Sequence, residues 1–430
     1  MKTLLSNEFK GFPHREPPMS AQNIAARGWN VLAGDLPLPL AVLKQSALIH
    51  NVQWMQNFVR ERGIDLAPHG KTTMSPQLFR RQLDAGAWGL TFATVAQARL
   101  GVMAGARRIL IANQVLNLED LAGIQALKRD HPDLRLVFLV DSMAQLRLVE
   151  QGFNRLGDSV CKGHDDANVF EVMLEIGVEG GRCGCRSHTQ ALALAQALHD
   201  SAAVRLVGVE CYEGLAAKGQ SDSDIPYAHA IMERVTQIAQ EVDARGWFDT
   251  DEVLVSAGGS AIFDLVAGRL KPSLSKPVRG LLRSGCYVTH DHGQYRRMLK
   301  AVGERCGCEE TLHPALEVWA SVQSRPEPGL AILAAGRRDV SYDLEMPIPF
   351  ARAALHERTP QSIPASWRIT GLNDQHAYLR WDPADEALAP GVGERVGLGI
   401  SHPCTTFDKW PWMPVVDDAY QVVDAILTRF

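Results

Sequence analysis

The chain has 430 residues, of which 46% are hydrophobic and 22% are charged, so it is long enough to bury a full core and is typical of a globular protein with two or three domains. Its formal net charge is −5, and charges of both signs are interspersed, which excludes a basic surface for nucleic acid or for an anionic membrane. We therefore expect a small-molecule partner.

The apolar content of the chain predicts the location of the protein, and the number of cysteines predicts the redox state of its thiols. The start, MKTLLSNEFKGFPHREPP, lacks a continuous apolar run, and no later stretch approaches the roughly 20 apolar residues that span a bilayer. We expect a cytoplasmic protein. Eight cysteines are too sparse for a disulfide scaffold, which predicts reduced thiols. The pairs Cys183/Cys185 and Cys306/Cys308 would suit a four-thiolate zinc site only poorly, because the usual C-x2-C spacing is absent.

From about residue 64, short apolar runs rich in β-branched residues alternate with segments of helical periodicity. This alternation predicts βα units and a parallel sheet. The eight predicted strands are 64–69, 89–94, 108–113, 134–140, 169–176, 204–212, 252–257 and 278–283. Eight such strands within roughly 220 residues favour a (β/α)8 barrel over a doubly wound sheet. We assign the barrel to residues 45–295.

After about residue 295 the pattern changes to strands without long helices. The predicted strands are 315–323, 329–336, 375–381 and 394–402, separated by loops rich in Pro, Gly and Asp. They predict a mostly-β domain over residues 296–430. The earlier apolar run at 37–44 precedes the first barrel helix, and we expect it, with residues 1–44, to join this second domain.

The first barrel strand is followed by His69, Gly70 and Lys71. Residues that follow the carboxyl ends of barrel strands face the active-site mouth. An amine held there in a partly desolvated site has a lowered pKa, which suits Schiff-base chemistry. Position alone also allows a solvated loop lysine, so both interpretations of Lys71 stay open at this point.

A glycine-rich turn, SAGGS at 256–260, follows the seventh strand and leads into a helical pattern. Glycines let backbone amides approach a phosphate, and barrels usually bind phosphate after strands seven and eight. A tight turn capped by Ser260 explains the same residues equally well. The eighth strand continues to Gly285 and Tyr287. Together with Lys71, these features indicate an aldehyde cofactor that bears a phosphate.

His402 and Cys404 lie in the segment ISHPCTTFD, on what the pattern indicates is the last β element. Two residues apart on an extended chain, they would share one face. Imidazole and thiolate together suit Zn2+. A buried thiol beside a hydrogen-bonded histidine is the alternative.

These motifs together resemble the D-serine dehydratase and D-threonine aldolase family of fold-type III pyridoxal 5'-phosphate (PLP) enzymes, whose barrel is related to that of alanine racemase. The segment APHGKTTMSPQLFRRQLDAGAWGLTFATVAQA is similar to the family's Schiff-base lysine motif, and the resemblance covers most of residues 35–415. It implies that PLP binds as a Schiff base on Lys71, the catalytic residue.

The resemblance further implies cofactor-binding roles for residues that follow the later barrel strands. Besides Lys71, these are Arg182, Tyr212, Gly258, Gly259, Ser260, Gly285 and Tyr287. In the family the glycine-rich turn holds the phosphate and the tyrosine corresponding to Tyr212 lies near the pyridine ring. Arg283 resembles in placement the racemase arginine that faces the pyridine nitrogen.

The C-terminal motif distinguishes between activities. The dehydratase branch of the family resembles S-H-P-C-T-T-F-D, with its His and Cys as zinc ligands, whereas the aldolase branch tends to carry Asp at the position of Cys404. The resemblance therefore implies Zn2+ on His402 and Cys404 and a D-serine dehydratase, which forms a 2-oxo acid and ammonia from a D-amino acid. It also implies a homodimer.

Three alternatives stay open. A D-threonine aldolase would keep the cofactor and the metal but release glycine and an aldehyde. A racemase would need a second base, which the sequence does not identify, and a non-catalytic PLP-binding protein would yield no product. An insertion-like stretch at 154–168 departs from the family pattern and affects the expected substrate more than the cofactor.

Overall fold

The computed structural model describes residues 4–157, 169–355 and 357–430. The greater part of the insertion-like stretch at 154–168 lies outside these ranges. Within them, no helix is both long and apolar enough to cross a membrane. The described chain begins with a 3-10 helix, Ala21–Arg27, followed by strand β1 (Leu40–Lys44) and helix α1 (Gln45–Glu61).

A parallel sheet of eight strands forms the first unit of the described residues. Its strands are β2 (Asp65–Leu66), β3 (Leu90–Phe92), β4 (Arg108–Gln114), β5 (Arg135–Val140), β6 (Phe170–Ile176), β7 (Val204–Cys211), β8 (Val253–Ala257) and β9 (Val278–Leu282). They pair in the order β2-β9-β8-β7-β6-β5-β4-β3. Each coincides with a strand predicted from the sequence.

The two ends of this sheet meet and turn it into a barrel. The amide of Trp88 donates to the carbonyl of Leu66 at 2.8 Å, and that of Thr91 donates to Pro68 at 2.9 Å. The Thr91 hydroxyl adds a bond of 2.7 Å to the carbonyl of Ala67. The backbone groups at both edges are thus satisfied, and the predicted (β/α)8 barrel is confirmed.

Amphipathic helices connect the strands and cover the barrel. They are α2 (Pro76–Asp84), α3 (Val95–Met103), α4 (Leu118–Asp130), α5 (Met143–Gly157), α6 (His188–Asp200), α7 (Ser221–Ala244) and α8 (Phe263–Ala267). Several begin at a side chain that caps the first turn, as Thr94, Asn117 and Ser187 do by accepting a backbone N–H three residues later. These caps set where each helix starts relative to the barrel mouth.

A second, mostly antiparallel sheet forms the other unit. Its strands after the barrel are β10 (Leu316–Glu327), β11 (Leu330–Leu333), β12 (Ile348–Ala353), β13 (Arg368–Leu372), β14 (Ala377–Arg380), β15 (Arg395–Gly399), β16 (Trp412–Val416) and β17 (Val422–Leu427). β1, within the apolar run at 37–44, completes it by pairing with β10 and β16.

A helix that the sequence analysis did not expect joins the two units. We expected no long helix after residue 295, yet α9 spans Gln294–Cys306. The carboxylate of Asp291 accepts the amides of Gly293, Tyr295 and Arg296, and Gly307 ends the helix with a left-handed φ of 63°. The predicted boundary between residues 295 and 296 therefore falls inside a helix.

The ion pair between Arg305 of α9 and Asp264 of α8 gives a test of this junction. The pair is bidentate at 2.6 and 2.9 Å, and the side chains are 13% and 3% exposed. Replacing Asp264 by Asn leaves the guanidinium without its charge partner, so we expect the free energy of unfolding to fall by about 3 kcal/mol in urea denaturation. Asp382→Asn, in the exposed pair with Arg368, should cost less than about 1 kcal/mol. Equal losses would contradict the assigned role of the buried pair.

Candidate active site

Lys71 lies where the first barrel strand reaches the mouth. It belongs to a 3-10 turn, Gly70–Thr72, directly after β2, and its side chain is exposed in the mouth. Its pKa lies below the ordinary value of a lysine, chiefly because the surrounding protein displaces water. The charges of Arg182 and Arg283 lower this pKa further, while the Cys404 sulfur opposes them. The amine is thus prepared to act as a nucleophile or base.

Two buried polar atoms near this amine have no hydrogen-bond partner among the described residues. They are Nδ1 of His69 and Nε of Arg283. Burial, followed by the charges of Lys71 and Arg283, lowers the pKa of His69 well below its ordinary value, so the imidazole is neutral. Such groups are rare in protein interiors and mark a place where a polar ligand can bind.

Arg283, which follows β9, is held in position by the end of β7, two strands away in the sheet. Its guanidinium forms an ion pair with Glu210 at 2.5 Å and donates to the carbonyl of Cys211 at 2.8 Å. Burial raises the pKa of Glu210 to about 8, against the opposing effect of Arg283. The sequence analysis noted Arg283 but missed Glu210, because an acidic residue inside a predicted strand carried no motif.

The backbone amides of the glycine-rich turn after β8 bind a partner other than the predicted phosphate. The amides of Gly258 and Gly259 donate to the buried carboxylate of Glu213, at 3.0 and 2.7 Å. These two N–H groups are therefore not free for a phosphate in this structure. Gly258 has a φ of 115°, which explains the glycine by the turn itself. The Ser260 hydroxyl accepts the amide of Cys286 at 3.3 Å and ties this turn to the end of β9.

Gly285 lies against the lysine turn. A Cβ added to Gly285 would lie 2.6 Å from Oγ1 of Thr72 and 2.7 Å from the carbonyl oxygen of His69. The chain after β9 can pass this close to the chain after β2 only because residue 285 has no side chain.

Tyr212 and Arg182 meet on another side of the mouth. The guanidinium carbon of Arg182 lies 4.8 Å from the centre of the Tyr212 ring, a cation–π contact. A Cβ at Gly259 would lie 3.2 Å from the same ring, so the predicted residues Arg182, Tyr212 and Gly259 are neighbours. A cavity of about 150 Å³ opens beside them and is also lined by Glu175 and Tyr227.

Tyr287 lies apart from this group. Its side chain is only 2% exposed, and its hydroxyl accepts a hydrogen bond from Nε2 of Gln82 at 3.0 Å. The phenol is therefore engaged with helix α2, so these contacts do not support the predicted cofactor role of its side chain.

The structure corrects the position of the predicted metal ligands. His402 and Cys404 follow β15 but do not lie on the last β element, because β16 and β17 come after them. Pro403 has helical angles, φ −58° and ψ −44°, and Cys404 begins a short helix, α10 (Cys404–Phe407). The two side chains nevertheless come together, because the helical turn brings the sulfur close enough to the imidazole to raise the pKa of His402.

Asp343, which the sequence analysis missed, orients His402. Its carboxylate lies 2.6 Å from Nδ1 of the imidazole and accepts the Thr405 hydroxyl at 2.7 Å. Burial lowers the pKa of His402, but Cys404 and Asp343 together raise it to about 9. A carboxylate on one imidazole nitrogen is the usual support for a histidine that binds metal through the other. Asp343 lies 59 residues earlier in the chain and has no motif around it.

Cys404 lies between three neighbours that favour its thiolate form. Hydrogen bonding to Cys286, and then to His402 and Thr72, lowers the pKa of Cys404 well below that of a free thiol despite its burial. The Sγ atoms of Cys404 and Cys286 are 3.7 Å apart, and the Thr72 hydroxyl lies 3.6 Å from Cys404 Sγ. A thiolate beside an imidazole is a donor set that fits a divalent metal such as zinc.

The cysteines elsewhere do not form the four-thiolate site that was considered. The free thiols in the described residues are Cys183, Cys185, Cys211, Cys286, Cys306, Cys308 and Cys404, which agrees with the prediction of reduced cysteines. Close groups of three or more donors found there are His50 with Glu310 and His313, and Asp141 with Glu175 and Cys183. Neither group unites the two C-x-C pairs.

Comparison with known proteins shows which enzymes the chain is similar to. Residues 315–416 match the model of a putative serine dehydratase domain. D-threonine aldolase of Arthrobacter sp. is 27% identical over 88% of this chain and 89% of its own length. D-threo-3-hydroxyaspartate dehydratase of Delftia sp. (strain HT23) is 28% identical over 91% of this chain and 95% of its own. These matches support the resemblance of the chain to the fold-type III PLP enzymes.

Solved structures agree with this assignment of the fold. D-threonine aldolase from Filomicrobium marinum superposes with a TM-score of 0.77 at 24% identity, covering 93% of this chain and 96% of the other. Solved forms of the Delftia dehydratase include one in which a histidine is replaced by alanine and a metal-free one in which a cysteine is replaced by alanine. Since the relatives are aldolases and dehydratases, the chain is a PLP-dependent lyase.

The close approach at Gly285 gives a test of the PLP site. Gly285→Ala would push the lysine turn away from β9, so we expect the affinity for PLP to fall by at least about tenfold, measured by titrating PLP into the apoprotein. Gly268→Ala is the matched control, because a Cβ there meets no atom within 4 Å. Equal PLP affinity in the two variants would mean that the approach of Gly285 to Thr72 does not shape the site.

Proposed function

We propose that this lyase is a metal-dependent dehydratase that removes water from a D-3-hydroxy amino acid and releases a 2-oxo acid and ammonia, with D-serine as its simplest substrate. The observation that carries the proposal is the contact of the Cys404 thiolate with Thr72, the residue next to Lys71. It joins the donors for a metal to the amine that would bind PLP.

The described residues fit both groups. For PLP they offer an amine of lowered pKa, the positive charges of Arg182 and Arg283, and the unpartnered buried atoms of His69 and Arg283. PLP, when bound, supplies the means to take up negative charge from the substrate Cα. A divalent metal held by His402 and Cys404 supplies Lewis acidity for the departing β-hydroxyl.

The residues of this chain would move the proton. Because the pKa of Lys71 is lowered, a larger fraction of the amine is neutral at a given pH, and a neutral amine can accept the proton from Cα. The guanidinium of Arg182 lies at the open mouth, above Tyr212, where its charge suits the substrate carboxylate.

The H-x-C motif favours elimination over aldol cleavage. In the Delftia dehydratase, whose solved forms carry alanine in place of a histidine or a cysteine, the two replaced positions are also two residues apart. The aldolase branch of the family tends to carry Asp where Cys404 stands. The likeness to D-threonine aldolases supports cleavage of the Cα–Cβ bond as the second candidate.

Product analysis distinguishes the two candidates. We would incubate the holoenzyme with D-serine, D-threonine and D-threo-3-hydroxyaspartate, with the L-enantiomers as controls, and quantify 2-oxo acid, ammonia and glycine. The proposal predicts equimolar 2-oxo acid and ammonia from at least one D-substrate. Glycine with an aldehyde would instead establish the aldolase, and turnover of only the L-enantiomers would overturn both.

The metal role predicts the effect of replacing Cys404. In Cys404→Ala, bound metal and dehydration should both fall, the latter by at least about 100-fold, while the visible absorbance of bound PLP stays. Cys308→Ala, at the end of α9, is the matched control and should keep both. Metal content would be measured by elemental analysis alongside the rate of 2-oxo acid formation. Full activity of the wild type after exhaustive chelation would contradict a metal in the reaction.

The oligomeric state and the cellular location stay predictions. We expect a homodimer, because the resemblance to the family implies one. The cytoplasmic location likewise stays a proposal.

A further inference from the structure

Cys286 lies beside the proposed metal donors, although no motif drew attention to it. It follows β9, begins the 3-10 turn Cys286–Val288 and is 6% exposed. Its Sγ lies 3.7 Å from that of Cys404, a residue 118 positions later in the chain. A second sulfur thus reaches the site from the barrel, whereas His402 and Cys404 belong to the second unit.

The separation of the two sulfurs matches a shared metal. Two thiolates bound to one zinc at about 2.3 Å in a tetrahedral arrangement lie roughly 3.8 Å apart. A disulfide would require about 2.05 Å. The observed 3.7 Å therefore suits coordination of one ion by both sulfurs without a bond between them.

His402 and Cys404 alone supply fewer metal ligands than a catalytic zinc site usually has. Catalytic zinc sites usually have three protein ligands and one open position, and His402 with Cys404 supplies only two. Asp343 is already engaged by His402 and Thr405. The thiol of Cys286 is the further metal-binding side chain that contacts Cys404 within the described residues.

We propose that Cys286 is a third protein ligand of the metal, which makes a Cys2His site with one position open for the β-hydroxyl of the substrate. This inference rests on the metal-dependent function proposed above. The ligand atoms of the three residues do not all lie within 4.8 Å of one another in the described structure, so coordination would draw the side chains together around the ion. Coordination releases the thiol proton of Cys286 to the solvent.

Such a site would connect the metal directly to the barrel. The amide of Cys286 already donates to Ser260, and its neighbour Gly285 lies against Thr72. A metal on Cys286 would therefore be fixed relative to Lys71 by the covalent chain after β9, in addition to the packing of the second sheet.

X-ray absorption at the zinc edge tests the proposal. Zinc-loaded holoenzyme should show two sulfur scatterers at about 2.3 Å and one imidazole, and Cys286→Ser should show one sulfur. The zinc affinity of Cys286→Ser, measured by competition with a chromophoric chelator, should fall by more than the roughly 10- to 100-fold expected when only an outer-shell partner is lost. Cys306→Ser, at the end of α9, should retain both sulfurs and the affinity.

The outcomes separate this inference from the proposed function. One sulfur in the wild type would overturn the role of Cys286 and leave His402 and Cys404 as the metal ligands. A holoenzyme that binds no zinc or other divalent metal would overturn both. The spectrum of the wild type decides the question even if Cys286→Ser does not fold.

Discussion

The contact between Thr72 and Cys404, with Oγ1 and Sγ 3.6 Å apart, is the point on which the site depends. Thr72 belongs to the lysine turn of the barrel, and Cys404 belongs to the second sheet. Neither unit carries the complete set of groups, so the chemistry requires the two to dock in one register. Two covalent connections hold the two units together. Strand β1 pairs in the second sheet and leads directly into barrel helix α1, and α9 connects the end of the barrel to the second sheet.

Charge explains why these residues need each other. The lysine lies among arginines that lower its pKa, and the thiolate of Cys404 is the negative charge that partly balances them. The thiolate in turn is stabilised by hydrogen bonds from groups of both units. In a site partly shielded from water, each charge without its partner would carry an uncompensated desolvation free energy. The opposite charges therefore have to be brought together when the two units dock.

Periodicity was sufficient to predict the barrel, because each parallel strand is buried on both faces and appears as a compact apolar run. It was insufficient for four strands of the second sheet, β12, β13, β16 and β17, of which the first two contain Pro349 and Gly371. It was also insufficient for α9, whose start depends on Asp291. At the site, the lysine motif was recognisable from neighbouring residues. Asp343, Glu213 and Cys286 were missed because their roles arise from distant parts of the chain that only folding brings together.

The central claim is that Lys71 is the residue that carries PLP. Reduction of the holoenzyme with borohydride converts the linkage between a lysine and PLP into a stable secondary amine, and mass spectrometry of the digested protein then locates it. We predict a single modified peptide, with the phosphopyridoxyl group on Lys71. A group found on another lysine, or none in protein saturated with PLP, would contradict the account.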